Sequence, residues 1–330
     1  MTAYIIRRIL TMIPTLIAIS IISFTIIQLP PGDFLTTYVA ELSMRGESVD
    51  QAELEALKQR FGLDQPLYKQ YLYWAWNFLH GDMGHSFGWN RPVSSLIGER
   101  IPVTILISTC TLLFTWLVSV PIGIYSAVRQ YSWVDYLLTF IGFIGLATPN
   151  FLFALVLLWI SYAYLGMSIG GLFSPQFADA PWTLAKLLDL IKHLWIPVII
   201  VGTAHTAKFI RIIRGNLLDE LKKPYVTTAR AKGLGETRLI LKYPVRVAIN
   251  PLVSTIGWTL PELISGIAIT AVVLNLPTSG PLLLSALLTQ DMQLAGSFIM
   301  LLSFLTVVGT LISDILLAWV DPRIRLGASE

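Results

Sequence analysis

The 330-residue sequence is short of charge: only 13% of its residues are Asp, Glu, Lys or Arg, while 55% are hydrophobic. That deficit excludes an ordinary soluble domain, in which about a quarter of the residues are charged. Cysteine is almost absent, and the single Cys110 cannot close an internal disulfide. The four histidines, His80, His85, His193 and His205, are scattered and form no H-E-x-x-H pair, so a resident metal is not expected. No G-x-x-x-x-G-K-[ST] loop is present to cradle a nucleotide. Gly81-Asp82-Met83-Gly84-His85-Ser86-Phe87 is not a hydrolase elbow and reads as a turn. With no nucleophile or metal constellation, the chain is not expected to be an enzyme. Solenoid repeats and low-complexity tracts are also missing.

What the chain has is long charge-free runs, and its mean hydropathy is +0.68. They cover 9–32, 101–128, 136–178, 247–261 continuing past Glu262, and 292–313. A span needs roughly 20 apolar residues, so each is a candidate, with 136–178 read as one helix plus an external loop. A sixth span is expected at about 190–213, where Lys192 and Lys208 can snorkel from either end. The expected fold is an all-α integral membrane protein of six transmembrane helices.

Basic residues set the expected orientation, because cytoplasmic loops carry the excess. With the N-terminus inside, the inner segments hold Arg7, Arg8, Arg129, the cluster from Lys208 to Arg246, and Arg323 and Arg325. The long segment after the first span is richer in acid than in base and falls outside. The net charge of +3 reflects this bias and does not indicate nucleic acid. Residues 1–32 are expected as the first transmembrane helix with a cytoplasmic N-terminus, read as an uncleaved span. Residues 33–100 follow as an external insert and 101–320 as a five-helix core containing a cytoplasmic loop at 214–243. Residues 321–330 form a cytoplasmic tail.

Within the insert, Pro30-Pro31-Gly32-Asp33 ends the first helix. Asp50 and Glu53 resemble a capping box ahead of the apolar stripe Leu54, Leu57 and Phe61, and Gly62 supplies a stop. Pro66 opens a second helix whose aromatics Tyr68, Tyr71, Tyr73, Trp74, Trp76 and Phe78 suit either a membrane-interface belt or a lid over the spans.

In the cytoplasmic loop, Pro224 suits the first turn of a short helix and Gly233 its left-handed stop. Tyr225, Thr228, Ala229 and Lys232 share one face at i, i+3, i+4 and i+7, and small side chains there permit close docking. Inside the spans, Glu262 is the charged group that most needs an explanation. Either it lines an aqueous path, or it hydrogen-bonds to a neighbouring helix; the sequence leaves both open. Asp291 and Asp314 read as boundary residues, and His205 as an inner-interface residue.

Thr228-Ala229-Arg230-Ala231-Lys232-Gly233 resembles the coupling loop of ATP-binding-cassette importer permeases, in the version found in the dipeptide, oligopeptide and nickel family. The usual loop has E-A-A followed three residues later by G; aligned on Gly233, those positions are Thr227, Thr228 and Ala229. Where an I-x-L-P element is expected, Tyr243-Pro244-Val245-Arg246 stands instead. Phe61-Gly62-Leu63-Asp64-Gln65-Pro66-Leu67, Asn90-Arg91-Pro92-Val93 and Glu99-Arg100-Ile101-Pro102 are similar to the outer insert of the first permease subunit in that family. Thr148-Pro149-Asn150-Phe151 is similar to its third-span proline element. Ala271-Val272-Val273-Leu274-Asn275 departs from the family's acidic residue before a Pro-Gly-x-Gly turn.

The resemblance implies a subunit of an importer of the cytoplasmic (plasma) membrane, partnered by a second permease, two cytoplasmic ATPase subunits and an external substrate-binding protein. It implies no cofactor on this chain, with ATP and Mg held by the ATPases. ATPase coupling is expected of Tyr225, Thr227, Thr228, Ala229, Arg230, Ala231, Lys232, Gly233 and Gly235. Glu262, Asn150 and Asn275 are the candidates for the path. The implied cargo is a peptide, with an oligosaccharide as the alternative. The rival functions are an ion-coupled carrier or channel that needs no ATPase, and a membrane-embedded enzyme.

Overall fold

No water is available in a bilayer to satisfy backbone groups, so a charge-free run must close its own hydrogen bonds, and it does so as helix. The computed structural model describes residues 2–29, 35, 36, 39, 44, 55, 56, 58, 59, 64–165, 170–177, 180, 181 and 183–320. The expected capping box at Asp50, the stop at Gly62 and the tail from Asp321 lie outside these residues. In chain order the helices are α1 (Thr2–Gln28), α2 (Leu67–Leu79), α3 (Val93–Val128), α4 (Trp133–Ala147) and α5 (Asn150–Leu165). Next come α6 (Leu184–Leu221), α7 (Pro224–Ala231), α8 (Glu236–Lys242), α9 (Pro244–Ala248), α10 (Asn250–Gly266), α11 (Ala268–Val273), α12 (Ser279–Leu288) and α13 (Met292–Val320). No β-strand occurs among the described residues.

By length and composition, Leu10–Gln28, Val93–Val128 and Met292–Leu316 can each cross a membrane. The pair α4 and α5 adds a fourth crossing if it counts as one broken span. Here the structure corrects the expected single helix within 136–178: the two helices meet at 102°. Pro149 is the cause, since the residue before a proline is pushed out of the helical region, and Thr148 is extended at φ −86° and ψ 121°. The expected fourth and fifth spans fall on α6 and α10, which are not among the helices that meet that measure of length and composition. The first carries Lys186, Asp189 and Lys192 near its start, and the second is 17 residues long. α3 begins at Val93, eight residues before the charge-free run at 101, because Gly98, Glu99 and Arg100 continue the helix outward as a polar first stretch.

The chain divides into two compact units, one within Met1–Pro102 and Thr278–Val307, the other within Val103–Pro277 and Val308–Glu330. In the first, α1 turns Ser20, Ser23, Phe24 and Ile27 inward and leaves Ile13, Ile17, Ile21 and Ile26 exposed. This pattern suits a lipid surround, because lipid tails do not drive isoleucine inward. Phe24 meets Tyr71 edge-on at 5.3 Å, and Ser20 Oγ lies 2.8 Å from the Tyr71 hydroxyl. The aromatic helix α2 is therefore two-faced: Trp74 is buried, while Tyr68, Tyr73 and Trp76 are exposed. Gly296 lets α13 approach Trp74, whose ring would lie 3.3 Å from an added Cβ.

The turn after α2 reverses through Gly81 (φ +84°) and Gly84 (φ +75°). It is anchored by Asp291, which is fully buried. The Asp291 carboxylate accepts from Ser86 Oγ (2.5 Å), from Gly88 N (3.2 Å) and from Leu294 N (3.1 Å). The last of these bonds makes Asp291 the N-cap of α13. The expected boundary residue is thus a structural anchor.

In the second unit, α4 lies against α6 through two glycines. A Cβ on Gly145 would fall 2.4 Å from Thr203 Cγ2, and one on Gly142 would fall 3.6 Å from Ala207 Cβ. Gly202 of α6 likewise accommodates Phe114 of α3. Where α4 starts, Asp135 is buried and pairs with Arg214 of α6 at 3.2 Å. Ser132 Oγ caps the helix by accepting from Asp135 N at 3.2 Å.

Candidate coupling surface and path

α7 forms as its residues dictate. Lys223 is extended at ψ 146°, as a residue before proline should be, and Pro224 occupies the first turn. At the other end Gly233 adopts φ +76°. Its N–H donates to Arg230 O at 3.0 Å, and Leu234 N donates to Ala229 O at 3.4 Å. These two bonds form a Schellman stop, which needs the left-handed residue that glycine supplies.

Val226 and Ala229 are buried and form one apolar cluster with Ala127, Leu217, Leu239, Ile240, Val245 and Ala248. This corrects one expectation. Ala229 does not share an outward face with Tyr225, Thr228 and Lys232; it faces the loop's own core, because Val226 and Ala229, three apart, define the apolar side. The outward side is centred on Thr227, Thr228 and Ala231, with Tyr225, Arg230 and Lys232 at its flanks, all exposed. Its centre is built of small side chains, on a face rotated from the one expected.

Electrostatics fixes the flanks. The Tyr225 hydroxyl donates to Glu220 Oε2 at 2.6 Å. Burial, together with the Glu220 carboxylate beside it, pushes the phenol above its ordinary pKa. Arg230 donates to Glu236 through Nε at 3.0 Å and through the terminal nitrogen at 2.5 Å. The guanidinium holds the Glu236 carboxyl below its ordinary value. The fork bridges α7 to α8 across Gly233 and Gly235, and Gly235 is the residue before α8. The exposed helix is thereby kept in one orientation.

The path candidates lie on separate elements. Glu262 of α10 faces Lys208 of α6 at 4.0 Å, with 38% and 47% of the Lys208 and Glu262 side chains exposed. Asn150 opens α5 and is half-buried. Asn275 has a conformational role: it is left-handed at φ +51° and ends α11, with Leu276 N donating to Ala271 O at 2.8 Å. Sequence reasoning missed the Asp135–Arg214 pair, although Ser132-x-x-Asp135 carries the pattern of a helix cap. It also missed the Asp189 carboxylate of α6, which accepts from Ser174 N and Ser174 Oγ, each at 2.7 Å.

Comparison with known families decides the identity. Residues 119–326 match the binding-protein-dependent transport system inner membrane component, and residues 1–108 match the N-terminal part of such a membrane component. The chain belongs to this permease family. It is similar to the oligopeptide transport system permease protein AppB of Bacillus subtilis, 38% identical over 98% of this chain and 100% of the relative. The dipeptide transport system permease protein DppB of Alkalihalophilus pseudofirmus is 31% identical over 98% and 100% of the two chains. DppB of Escherichia coli is 28% identical over 98% and 99%. The resemblance read from the coupling loop therefore holds over the whole chain, and the protein is an all-α membrane permease.

Proposed function

We propose that this permease is one transmembrane subunit of an importer that carries peptides across the cytoplasmic membrane by alternating access. A second permease, two ATPase subunits holding ATP and Mg, and an external binding protein complete the machine. The observation that carries this reading is full-length similarity to permeases named for oligopeptide and dipeptide transport, combined with a short exposed helix of small side chains at the expected coupling position. Seated in a cleft of an ATPase, α7 would pass nucleotide-driven closure to α6, because Val226 and Leu217 belong to one buried cluster. Tyr225, Thr227, Thr228, Arg230, Ala231, Lys232 and Gly233 form the docking surface, with Ala229 and Gly235 holding its shape. Hydrolysis belongs to the partners and not to this chain. In this reading the chain has six spans and both termini are cytoplasmic, which would put the coupling loop on the ATPase side.

The test is uptake by the complete complex in proteoliposomes. Peptide accumulation that requires ATP inside the cytoplasmic compartment and the binding protein outside supports the proposal. Uptake of oligosaccharides alone would replace peptide by sugar, and uptake driven by an ion gradient without the ATPases would replace the importer by a carrier.

A further inference from the structure

We propose that the cavity beside α2 is a binding site for a short peptide, held by its main-chain amide groups, an assignment that rests on the peptide-import reading for its class of ligand.

The cavity lies wholly within the first unit, between α2, the turn at 81–92 and the first residues of α13. Its volume is about 630 Å³, inside the roughly 300–1,000 Å³ of sites that enclose small ligands. Helical spacing builds the α2 wall: Lys69, Tyr73 and Asn77 stand four residues apart, with Trp74 beside them. Trp74 and Phe87, both buried, supply apolar surface. The facing wall is tied down before any ligand arrives. Ser86 and Gly88, on either side of Phe87, donate to Asp291, and Ser297 Oγ donates to Met83 O at 3.3 Å. A wall already ordered loses little entropy on binding.

The polar groups of the cavity define its ligand. Asn77 and Gln293 are half-buried and Asn90 is exposed, all three at the cavity wall. Among the described residues, their side-chain amides have no hydrogen-bond partner in the chain. Gln70, at the same wall, differs: its Nε2 donates to Gln65 O at 2.7 Å and belongs to the fold. Gln293 rests over Gly84, where an added Cβ would fall 2.6 Å from its Oε1, so the glycine leaves that amide its place. A side-chain amide carries a donor and an acceptor together and so matches the C=O and N–H of a peptide unit. Three of them around one cavity can read a main chain, which is common to every peptide whatever its side chains. Lys69 and Asp82 both stand at the wall, so neither sign of charge is in excess there. A neutral backbone suits such a site better than an anion or a cation does.

The experiment uses the assembled membrane complex, with the soluble binding protein withheld so that it cannot take up the probe. The probe is N-acetylated, C-amidated trialanine whose central residue is replaced by a photoreactive diazirine amino acid. Irradiation should attach it to residues within 65–93 or to 292 and 293, and excess blocked trialanine should prevent this while maltotriose should not. In Asn77→Ala and in Gln293→Ala, each of which leaves the hydrogen bonds of the fold in place, blocked trialanine should compete about fivefold more weakly, the loss of one hydrogen bond. Where a variant fails to assemble, labelling of the parent decides alone. Labelling only elsewhere, parental competition in both assembled variants, or equal competition by maltotriose would overturn the inference. With the binding protein restored, peptide uptake without cavity labelling defeats this inference only, whereas uptake of oligosaccharides and no peptides defeats the peptide reading beneath it.

Discussion

The coupling loop and the turn at 81–92 are held by opposite means. The side-chain bonds of α7 are local: Tyr225 reaches Glu220 five residues back, and Arg230 reaches Glu236 six residues on. The turn is held from far away, Ser86 by Asp291 across 205 residues and Met83 O by Ser297 across 214. Local bonds cost little chain entropy and leave an element free to meet a partner, whereas distant ones close a large loop and fix it. The difference suits an exposed helix proposed to dock against an ATPase and a turn that braces the start of α13. If this contrast is right, damage to the turn should cost folding, and damage to the loop should cost coupling.

The largest effect on stability is therefore expected at Asp291. Asp291→Ala leaves Ser86 Oγ and two backbone N–H groups without their acceptor in a buried site and removes the α13 cap. A loss of about 2–4 kcal/mol is expected, seen as a lower melting temperature of the purified complex and a lower yield. Asp291→Asn, which keeps an acceptor oxygen, should fall between. A parental melting temperature for the alanine variant would remove Asp291 as a brace.

For Gly233 the expectation is reversed. Proline fixes φ near −65° and has no N–H, so Gly233→Pro loses both the +76° backbone and the bond to Arg230 O. Substrate-stimulated ATP hydrolysis should drop to the basal rate, while membrane insertion and melting change little, because the lost bonds are local. Gly233→Asn should retain most stimulation, since asparagine tolerates the left-handed region. Stimulation at the parental level in the proline variant would break the contrast.

The same distinction decides what could be read from the chain. Pro224 and Gly233 announce α7 within ten residues, and the Schellman bonds follow from them. The Pro66 start of α2 was legible for the same reason. Ala229 was assigned to the wrong face because helical spacing gives which residues align but not which side meets the protein. Asp291 was read as a boundary because its partners Ser86 and Gly88 lie some 200 residues away, beyond any window. The bend at Pro149 was hidden differently: hydropathy runs smoothly through Thr148-Pro149, while the backbone rule for a residue before proline breaks the helix there. Composition carries the bilayer, local chemistry carries the loop, and long-range polar pairing is left to the fold.

Topology sharpens the contrast at intermediate size. The insert and the coupling loop should lie on opposite sides of the membrane, given the acidic first segment and the basic cluster from Lys208 to Arg246. In a Cys110→Ala background, an impermeant thiol reagent applied to intact cells should label Gln65→Cys and spare Thr237→Cys, both exposed positions. The opposite pattern would invert the orientation and take α7 away from any cytoplasmic ATPase.

The smallest effect belongs to the Arg230–Glu236 fork, and its sign follows from the direction of the carboxyl shift. Hydrogen bonding to Arg230 and its positive charge lower the Glu236 pKa from 4.5, the value for the group without this partner. A carboxyl whose folded pKa is depressed stabilises the fold above its unfolded value, and that contribution is lost as pH falls through the folded value. The fork should therefore steady the α7 stop at neutral pH and lose that contribution only as pH falls below 4.5 and through the lowered folded value. Both side chains are about half exposed, so solvent and salt screen the pair strongly. Hydrogen exchange at Gly233 and Leu234 is the direct readout. Glu236→Gln should speed exchange at pH 7 by no more than about fivefold, less in high salt, and the difference from the parent should shrink as the carboxylate is titrated in acid. A difference between parent and variant that persists unchanged after the carboxylate has been fully titrated in acid would mean that Glu236 acts through its shape and not through its charge.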